Sequence, residues 1–459
     1  MKKKLYIKSY GCQMNTYDAK RMQDILRPLG YETVESYEDA DMAILNTCHI
    51  REKATDKVFS DLGRIRPHKE KREKQGQQMI VAVAGCVAQA EGDVILSRAR
   101  YVDMVFGPQT YHQLPEMVAK ITGAYGAERI INTDFPVEEK FDQLPEENAT
   151  EGPSAFLSVQ EGCDKFCTFC VVPYTRGSEY SRSVDGILAE AKRLIAVGVK
   201  DITLLGQNVN AFHGTGPDGK TWSLARLLEE LNGYDDVKRL RYTTSHPCDV
   251  EDDLIAAHRD LEKVMPYLHL PVQSGSDKIL KAMNRKHTAQ SYLDTLNRFR
   301  DVRPDIALSS DFIVGFPGET DEDFEATMEL IAKVGYGSAY SFKYSPRPGT
   351  PAANMAGLVR EEIKNERLQR LQALLTEQAI SINQSFIGKT IPVLFDRTHD
   401  LQSKRLHGRT EYNQAVHIEL DRPLGHNRLE GQILDVTVTS AGQMALHGNV
   451  KLAQDDMAA

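Results

Sequence analysis

The chain has no stretch approaching the ~18 consecutive apolar residues that a membrane-crossing helix needs, so none is expected. It has no surplus of positive charge. Its 56 Lys and Arg stand against 65 Asp and Glu, a net of −9. That balance excludes a generally basic nucleic-acid binder but leaves room for a local basic patch. No solenoid-type repeat is present, and aromatic residues are few, at 7%. What remains, 41% apolar and 26% charged residues, is the make-up of a soluble globular protein. It excludes a disordered chain, a collagen-like fibre and a coiled coil. At roughly 150 residues per domain, 459 residues allow about three domains. Each can bury a core without disulfide staples. Met1-Lys2-Lys3-Lys4 starts like the charged end of a signal peptide, but the apolar part that follows is short and broken by Lys8. No signal and a cytoplasmic location are therefore expected. In such a compartment the seven cysteines point to metal binding or catalysis rather than to disulfides.

Strands are expected at 3–9, 41–46, 79–84 and 102–106, with helices near 18–29, 50–62 and 88–98, which predicts a parallel-sheet α/β domain over 1–135. Residues 136–153 read as an acidic, solvated linker. From 154 to 376 six strands (155–160, 201–205, 239–244, 267–271, 307–314, 338–344) alternate with helices and predict a partial (β/α)6 barrel followed by one long amphipathic helix. Residues 377–452 break into short β-prone runs at 391–395, 415–420, 432–439 and 443–446, as in a small all-β barrel. The last seven residues are expected to fray.

Cys163, Cys167 and Cys170 stand at spacings of four and three just after the first strand of the six-unit region. Three thiolates on a four-iron cube leave one iron free for a substrate or cofactor. A structural zinc site would need a fourth ligand, and no nearby His supplies it. Cys12, Cys48 and Cys86 each follow a predicted strand, in Tyr10-Gly11-Cys12, Asn46-Thr47-Cys48 and Ala84-Gly85-Cys86. Parallel strands bring their carboxyl ends to one edge, where three thiols can converge. Glycines beside the thiols would permit close backbone approach. On spacing alone, three unrelated buried cysteines are the default reading; their shared placement just past three parallel strands favours convergence.

The C-x-x-x-C-x-x-C segment resembles that of the radical S-adenosylmethionine (SAM) enzymes. The Gly11-Cys12-Gln13-Met14-Asn15, Asn46-Thr47-Cys48 and Ala84-Gly85-Cys86 segments resemble those of the methylthiotransferases, end to end with Leu270–Ser276 and Asp311–Thr320. Gly11–Asn15 and Leu204–Asn210 further resemble the branch that acts on prenylated adenosine in tRNA, and the C-terminal region resembles the TRAM RNA-binding barrel. The resemblance implies two 4Fe–4S clusters, one on Cys163, Cys167 and Cys170 and an auxiliary one on Cys12, Cys48 and Cys86. It implies one SAM as radical source and a second as methyl donor, with a methylthio group placed on C2 of the adenine. An aromatic C–H carries no acidic proton, so acid–base chemistry alone would not suffice. By the same resemblance, Phe169 would lie against the SAM adenine. Gln207, Asn208, Gln273, Ser274, Ser276, Asp311 and Gly315, at or near strand ends, would face SAM or the base, or serve as turn and packing residues. His246 shares that barrel mouth, and Cys248 reads as structural. Arg347, Lys404, Arg405, Arg409 and Arg428 are candidate phosphate contacts, as is the basic run 64–74, which otherwise reads as a solvated loop. The expected partners are tRNA and an external electron donor such as a flavodoxin or ferredoxin, with no membrane and a monomeric chain. Family branches that act on threonylcarbamoyl-adenosine or on a ribosomal-protein aspartate are the alternatives. An electron-transfer protein would need four cysteines per cluster, which the chain lacks.

Overall fold

The computed structural model describes residues 2–49, 54–123, 129–135, 140–145, 152–397, 405–420 and 429–450. The chain packs as two compact units. The first comprises 1–150 with 161–164 and 171–182, the second 151–160, 165–170 and 183–459. Among the described residues no helix is long and apolar enough to cross a membrane.

The first unit is a six-stranded sheet, all parallel, in the order β2 (Tyr31–Thr33), β1 (Lys3–Ser9), β3 (Met42–Thr47), β4 (Ile80–Gly85), β5 (Met104–Phe106), β6 (Ile130–Asn132). Every residue of β3 and β4 is buried, which is why they read as apolar runs (Met42–Leu45, Ile80–Ala84) rather than alternating ones. Alternate side chains serve opposite cores. Met42, Ile44, Ile80 and Ala82 pack with α1 (Gln13–Leu26) and α4 (Leu114–Thr122). Ala43, Leu45, Val81 and Val83 pack with α2 (Ala54–Lys74) and α3 (Cys86–Arg98). The first helix begins five residues before its expected start, directly after Cys12. A larger correction concerns 64–74, expected as a loop. It is the second half of α2, carried through Pro67 by Val58, Leu62 and Ile65 on the core side. Four of its six Lys and Arg side chains are engaged: Arg64 with Asp61 at 3.0 Å, Arg66 with Glu70 at 2.6 Å, Lys69 with Asp103 at 2.6 Å, and Arg72 with Asp41. Within the expected linker, Lys140 is buried and ion-paired rather than solvated; most of the other linker positions, and the last seven residues, expected to fray, lie outside the described residues.

In the second unit, Ser154–Ser158, Asp201–Leu205 and Arg239–Thr243 form one parallel three-stranded sheet, and Tyr267–His269, Ala307–Val314 and Ser338–Lys343 another. A parallel bridge between Leu240 and Val264 continues the line from one sheet towards the next. Among the described residues no ladder joins the first strand to the sixth, so the six β/α units make an open, partial barrel. The long helix Glu361–Gln384 follows, with Leu371 and Leu375 in the same core. It leads into a closed five-stranded barrel in the order Thr390–Arg397, Arg405–Thr410, Ala415–Glu419, Ala445–Val450, Ile433–Ala441. Arg405–Thr410 went unread as a strand because its outward positions are Arg405, His407 and Arg409, and inward Gly408 lies flush against Leu394.

The small barrel is fastened at the amino ends of the large barrel's strands. Arg239 donates to the carbonyls of Arg409 (2.7 Å) and Pro392 (3.1 Å). Arg241 donates to those of Glu411 (2.8 Å) and Thr410 (2.9 Å), and Lys200 to that of Gly431 (2.7 Å). Charged donors are worth about 1.5–3 kcal/mol each when buried. Arg239→Met, which leaves the Arg241–Asp201 pair intact, should therefore weaken the mount by about 2 kcal/mol or more. Calorimetry is expected to resolve a separate, lower-melting transition for the C-terminal barrel; one unchanged transition would refute the mount.

His258 sits fully buried behind this sheet, with Nε2 2.7 Å from the Tyr242 hydroxyl. Burial, and secondarily Arg303, holds its imidazole down to about 3 from the usual 6.5. Below pH 6.5 the unfolded chain takes up a proton that the folded chain refuses, so stability falls as pH drops through 6.5 towards 3, by up to roughly 1.4 kcal/mol per pH unit. His258→Gln should flatten that part of the stability–pH curve in urea titrations, relative to the parent.

Candidate functional site

In the first unit β1, β3 and β4 are neighbours in register, Ser9 opposite Asn46 and Asn46 opposite Ala84. Running the same way, they deliver Cys12, Cys48 and Cys86 to one edge of the sheet. The turns are built for contact. Gly11 has φ +89°, and a Cβ there would lie 2.3 Å from Cys48 Cβ and 2.5 Å from its Sγ. Gly85 has φ +88°, and its Cβ would meet the Thr47 carbonyl at 2.4 Å. Three buried polar side chains stitch the turns together. Asn15 Nδ2 donates to the carbonyls of Tyr10 (2.9 Å) and Thr47 (2.8 Å). Asn46 Nδ2 donates to that of Asn15 (2.8 Å), and Thr47 Oγ1 to that of Ala84 (2.6 Å). The Cys12 thiol is drawn down to about 6 by its hydrogen bond with Cys48, with help from Arg176 and against burial. Burial pushes Cys86 up, opposed by the same Arg176.

None of the seven cysteines is in a disulfide. Among the described residues no three Cys, His, Asp or Glu side chains are arranged around a single metal ion. One ion would draw its thiolates to within about 4.6 Å of each other, twice a Zn–S bond. A four-iron cube takes each thiolate on a different iron and spreads them wider. Three thiols on one edge, a depressed thiol and a buried cation fit a cube better than a single ion.

Each half of the second cysteine loop is anchored within its own unit. In the first, Gly162 has φ +71° and lies flush with the Ser178 carbonyl, while Cys163 N donates to Gly177 O at 3.3 Å. In the second, Thr168 N donates to Met283 O (3.1 Å) and Cys170 N to Cys167 O (2.9 Å). Asn284 Nδ2 donates to Phe166 O at 3.0 Å, and the buried Arg285 reaches Cys167 Sγ at 3.6 Å. Backbone outliers gather here. Phe166, Thr244, Gln273, Asn284 and Lys286 all have φ between +48° and +78°, and for a β-branched residue such as Thr244 that is strained.

The other expected site residues fall into two groups. Asn208 follows the strand Asp201–Leu205. Its Nδ2 donates to Asp249 (2.8 Å), while its Oδ1 is buried without a hydrogen-bond partner among the described residues. Ser245 Oγ and His246 Nε2, past the next strand, are in the same state. The His246 imidazole is held down to about 2, by burial first and then Arg285, so it is neutral. Its Nδ1 accepts from Cys248 N at 3.2 Å, which puts its proton on Nε2. Gln207 N and Asn208 N both donate to Gln160 Oε1. Asp311 is half-exposed, 3.7 Å from His269. Phe169 packs half-buried beside Ile279, Met283 and Phe316. The second group is committed internally. Ser274 Oγ pairs with Thr327 (3.3 Å), and Ser276 Oγ donates to Asp323 (2.6 Å) and caps the helix Asp277–Ala282. Gln273 bridges Asp311 O and Ile313 N through its backbone. Gly315, at φ +71°, makes room for Lys364, whose Cγ would lie 2.2 Å from a Cβ. Of the candidate RNA contacts, Arg409 pairs with Asp396 at 3.7 Å, Arg405 is exposed and Arg347 half-exposed; Lys404 and Arg428 lie outside the described residues.

Sequence reasoning missed a buried ion network in the first unit. Arg176, 3% exposed, joins Asp18 (2.6 Å), Glu161 (3.0 Å) and Asn15 Oδ1 (3.2 Å), and Lys140 joins Glu161 (2.6 Å). The one available signal was a cation six residues past Cys170, in Pro173-Tyr174-Thr175-Arg176-Gly177.

Residues 157–331 match the family model described as the Radical SAM superfamily, and residues 4–107 match the one described as Uncharacterized protein family UPF0004. The chain is 56% identical over 451 residues to the tRNA-2-methylthio-N(6)-dimethylallyladenosine synthase of Rickettsia felis, covering 98% of this chain and 100% of that one. It is 55% identical over 450 residues to the synthase of the same name from Jannaschia sp., covering 98% and 94%. Among solved structures it resembles the radical S-adenosylmethionine methyltransferase TsrM from Kitasatospora setae, with cobalamin and a 4Fe–4S cluster bound. There the TM-score is 0.55 at 13% identity, over 77% of this chain and 74% of that one, a likeness of fold alone.

Proposed function

This chain belongs to the family of tRNA-2-methylthio-N(6)-dimethylallyladenosine synthases, and on that premise we propose that it replaces the hydrogen on C2 of N6-dimethylallyladenosine, at position 37 of tRNA, with a methylthio group. The observation that carries the reading is one chain holding both a C-x-x-x-C-x-x-C loop and three cysteines at the carboxyl ends of adjacent parallel strands. Cys163, Cys167 and Cys170 would hold one 4Fe–4S cluster, and Cys12, Cys48 and Cys86 the auxiliary one. When bound, the clusters and two molecules of SAM supply the radical, sulfur and methyl group that acid–base side chains cannot.

The chain's own residues do the rest. Asn15, Asn46 and Thr47 fix the three thiol-bearing turns. In the barrel, Asn208 Oδ1 is a buried acceptor, His246 Nε2–H a donor and Ser245 Oγ either, all unpaired among the described residues. Burying such groups unsatisfied costs about 1–3 kcal/mol each, which a polar ligand such as SAM would offset. Phe169 offers a half-buried ring for an adenine, and Asp311 a half-exposed carboxylate beside His269. Arg347, Lys404, Arg405, Arg409 and Arg428 would contact phosphate. The working form is a monomer in the cytoplasm, reduced by an external donor such as a flavodoxin or ferredoxin.

The test is nucleoside mass spectrometry after incubating the cluster-loaded enzyme with SAM, a reductant and three tRNAs: prenylated, unprenylated and threonylcarbamoylated. Methylthio product on prenylated tRNA alone is expected. Product on the threonylcarbamoylated RNA instead, or on none, would overturn the substrate assignment.

A further inference from the structure

We propose that Arg176 is a positioning residue for the auxiliary centre: its buried guanidinium, braced by Asp18 and Glu161 and bonded to the Asn15 amide that also meets Cys12, is the fixed positive charge that steadies the thiolates of Cys12, Cys48 and Cys86 and sets the potential of the cluster they hold. This rests on the assignment of that cluster to those cysteines.

A buried arginine is unfavourable unless its donors are taken up. Here the planar fork is divided. One amine nitrogen goes to Glu161, the other to Asp18 and Asn15 Oδ1 (3.2 Å), and that same Asn15 oxygen accepts from Cys12 Sγ at 3.6 Å, so a single amide joins the cation to a thiol. Asn15 belongs to the same constellation, since its amide ties the Cys12 turn to the Cys48 turn. The facing charges are Asp18 on α1, Glu161, and Lys140, which pairs with Glu161 and donates to Pro108 O at 3.1 Å. Gln109 Nε2 closes the circle on the Arg176 carbonyl at 2.6 Å. The chain thus returns to the first unit after the Cys163–Cys170 loop, over 171–182, and delivers a cation there. Net charge and hydrogen bonds to the sulfurs are the protein's main means of setting an iron–sulfur potential.

The experiment is an EPR-monitored redox titration of the full chain in a Cys163→Ala/Cys167→Ala/Cys170→Ala parent, where only the auxiliary cluster can report. Removing a positive charge disfavours the added electron, so Arg176→Met should shift the midpoint to more negative potential, by tenfold or more in the reduction equilibrium, about 59 mV for one electron. Asp18→Asn removes a negative charge and should shift it the other way. Arg176→Lys, which keeps the charge, should stay near the parent. Opposite signs from two neighbours in one network are not what a merely structural role predicts. If Arg176→Met loses its iron while Arg176→Lys keeps about four, the need for charge is still supported, and Asp18→Asn supplies the potential. About four irons and one unshifted potential in all variants would overturn the assignment of Arg176 alone. A parent without iron would overturn the auxiliary centre itself.

Discussion

Anaerobically reconstituted protein is expected to carry about eight irons per chain, and about four in each of two triple variants, Cys12→Ala/Cys48→Ala/Cys86→Ala and Cys163→Ala/Cys167→Ala/Cys170→Ala. The two losses should be independent, because the two sets are positioned by different backbone. One set stands on the ends of β1, β3 and β4. The other stands on a single eight-residue loop. The functional losses should differ in kind. Without Cys163, Cys167 and Cys170, reductive cleavage of SAM to 5′-deoxyadenosine should fall to background. Without Cys12, Cys48 and Cys86, that cleavage should persist while methylthio product disappears. About four irons in the parent, absent only from the 163–170 variant, would remove the auxiliary cluster and with it the sulfur transfer.

Gly11→Ala is expected to have nearly the effect of deleting the three N-terminal cysteines, though it removes no ligand. The substitution meets two penalties. At φ +89° an alanine costs about 1–2 kcal/mol in backbone strain. The larger one is steric: the new Cβ would overlap Cys48 Cβ at 2.3 Å and Sγ at 2.5 Å, so Cys48 must leave its place. Iron should fall from about eight to about four, with SAM cleavage retained and transfer lost. Gly76→Ala is the control, since Gly76 has φ +70° but nothing within 4 Å of a Cβ. It carries the strain without the overlap and should keep about eight irons. Equal iron in both variants would show that Cys48 can move without harm, and that the close approach at Gly11 is incidental.

Much of this was legible in the sequence, for physical reasons that differ by region. β3 and β4 announce themselves because strands buried on both faces carry apolar runs, Met42–Leu45 and Ile80–Ala84, with no alternation. The three N-terminal thiols could be placed on one edge because parallel strands share their direction. The six barrel strands were found within about two residues by their spacing. Arg405–Thr410 was invisible because its outer face is charged and its inner face uses a glycine. The basic run 64–74 misled because Asp41, Asp61 and Asp103, which pair with Arg72, Arg64 and Lys69, are distant or unremarkable in sequence. The network around Arg176 could not be read for the same reason: Asp18 and Arg176 are 158 residues apart. Gly315, Ser274 and Ser276 sit at motif positions, and their hydroxyls and missing Cβ are already used within the barrel.

The C-terminal barrel hangs from Arg239, Arg241 and Lys200 by the carbonyls of Pro392, Arg409, Thr410, Glu411 and Gly431. Every residue type brings the same carbonyl. The mount thus asks nothing of the side chains at Pro392, Arg409 and Glu411, although Thr410 is fully buried and Gly431 has φ +78°. A lineage can rewrite the outward face of this small barrel without loosening the joint. Exchanging that barrel between relatives should for the same reason be a permissive graft, provided the three cations beneath it are kept.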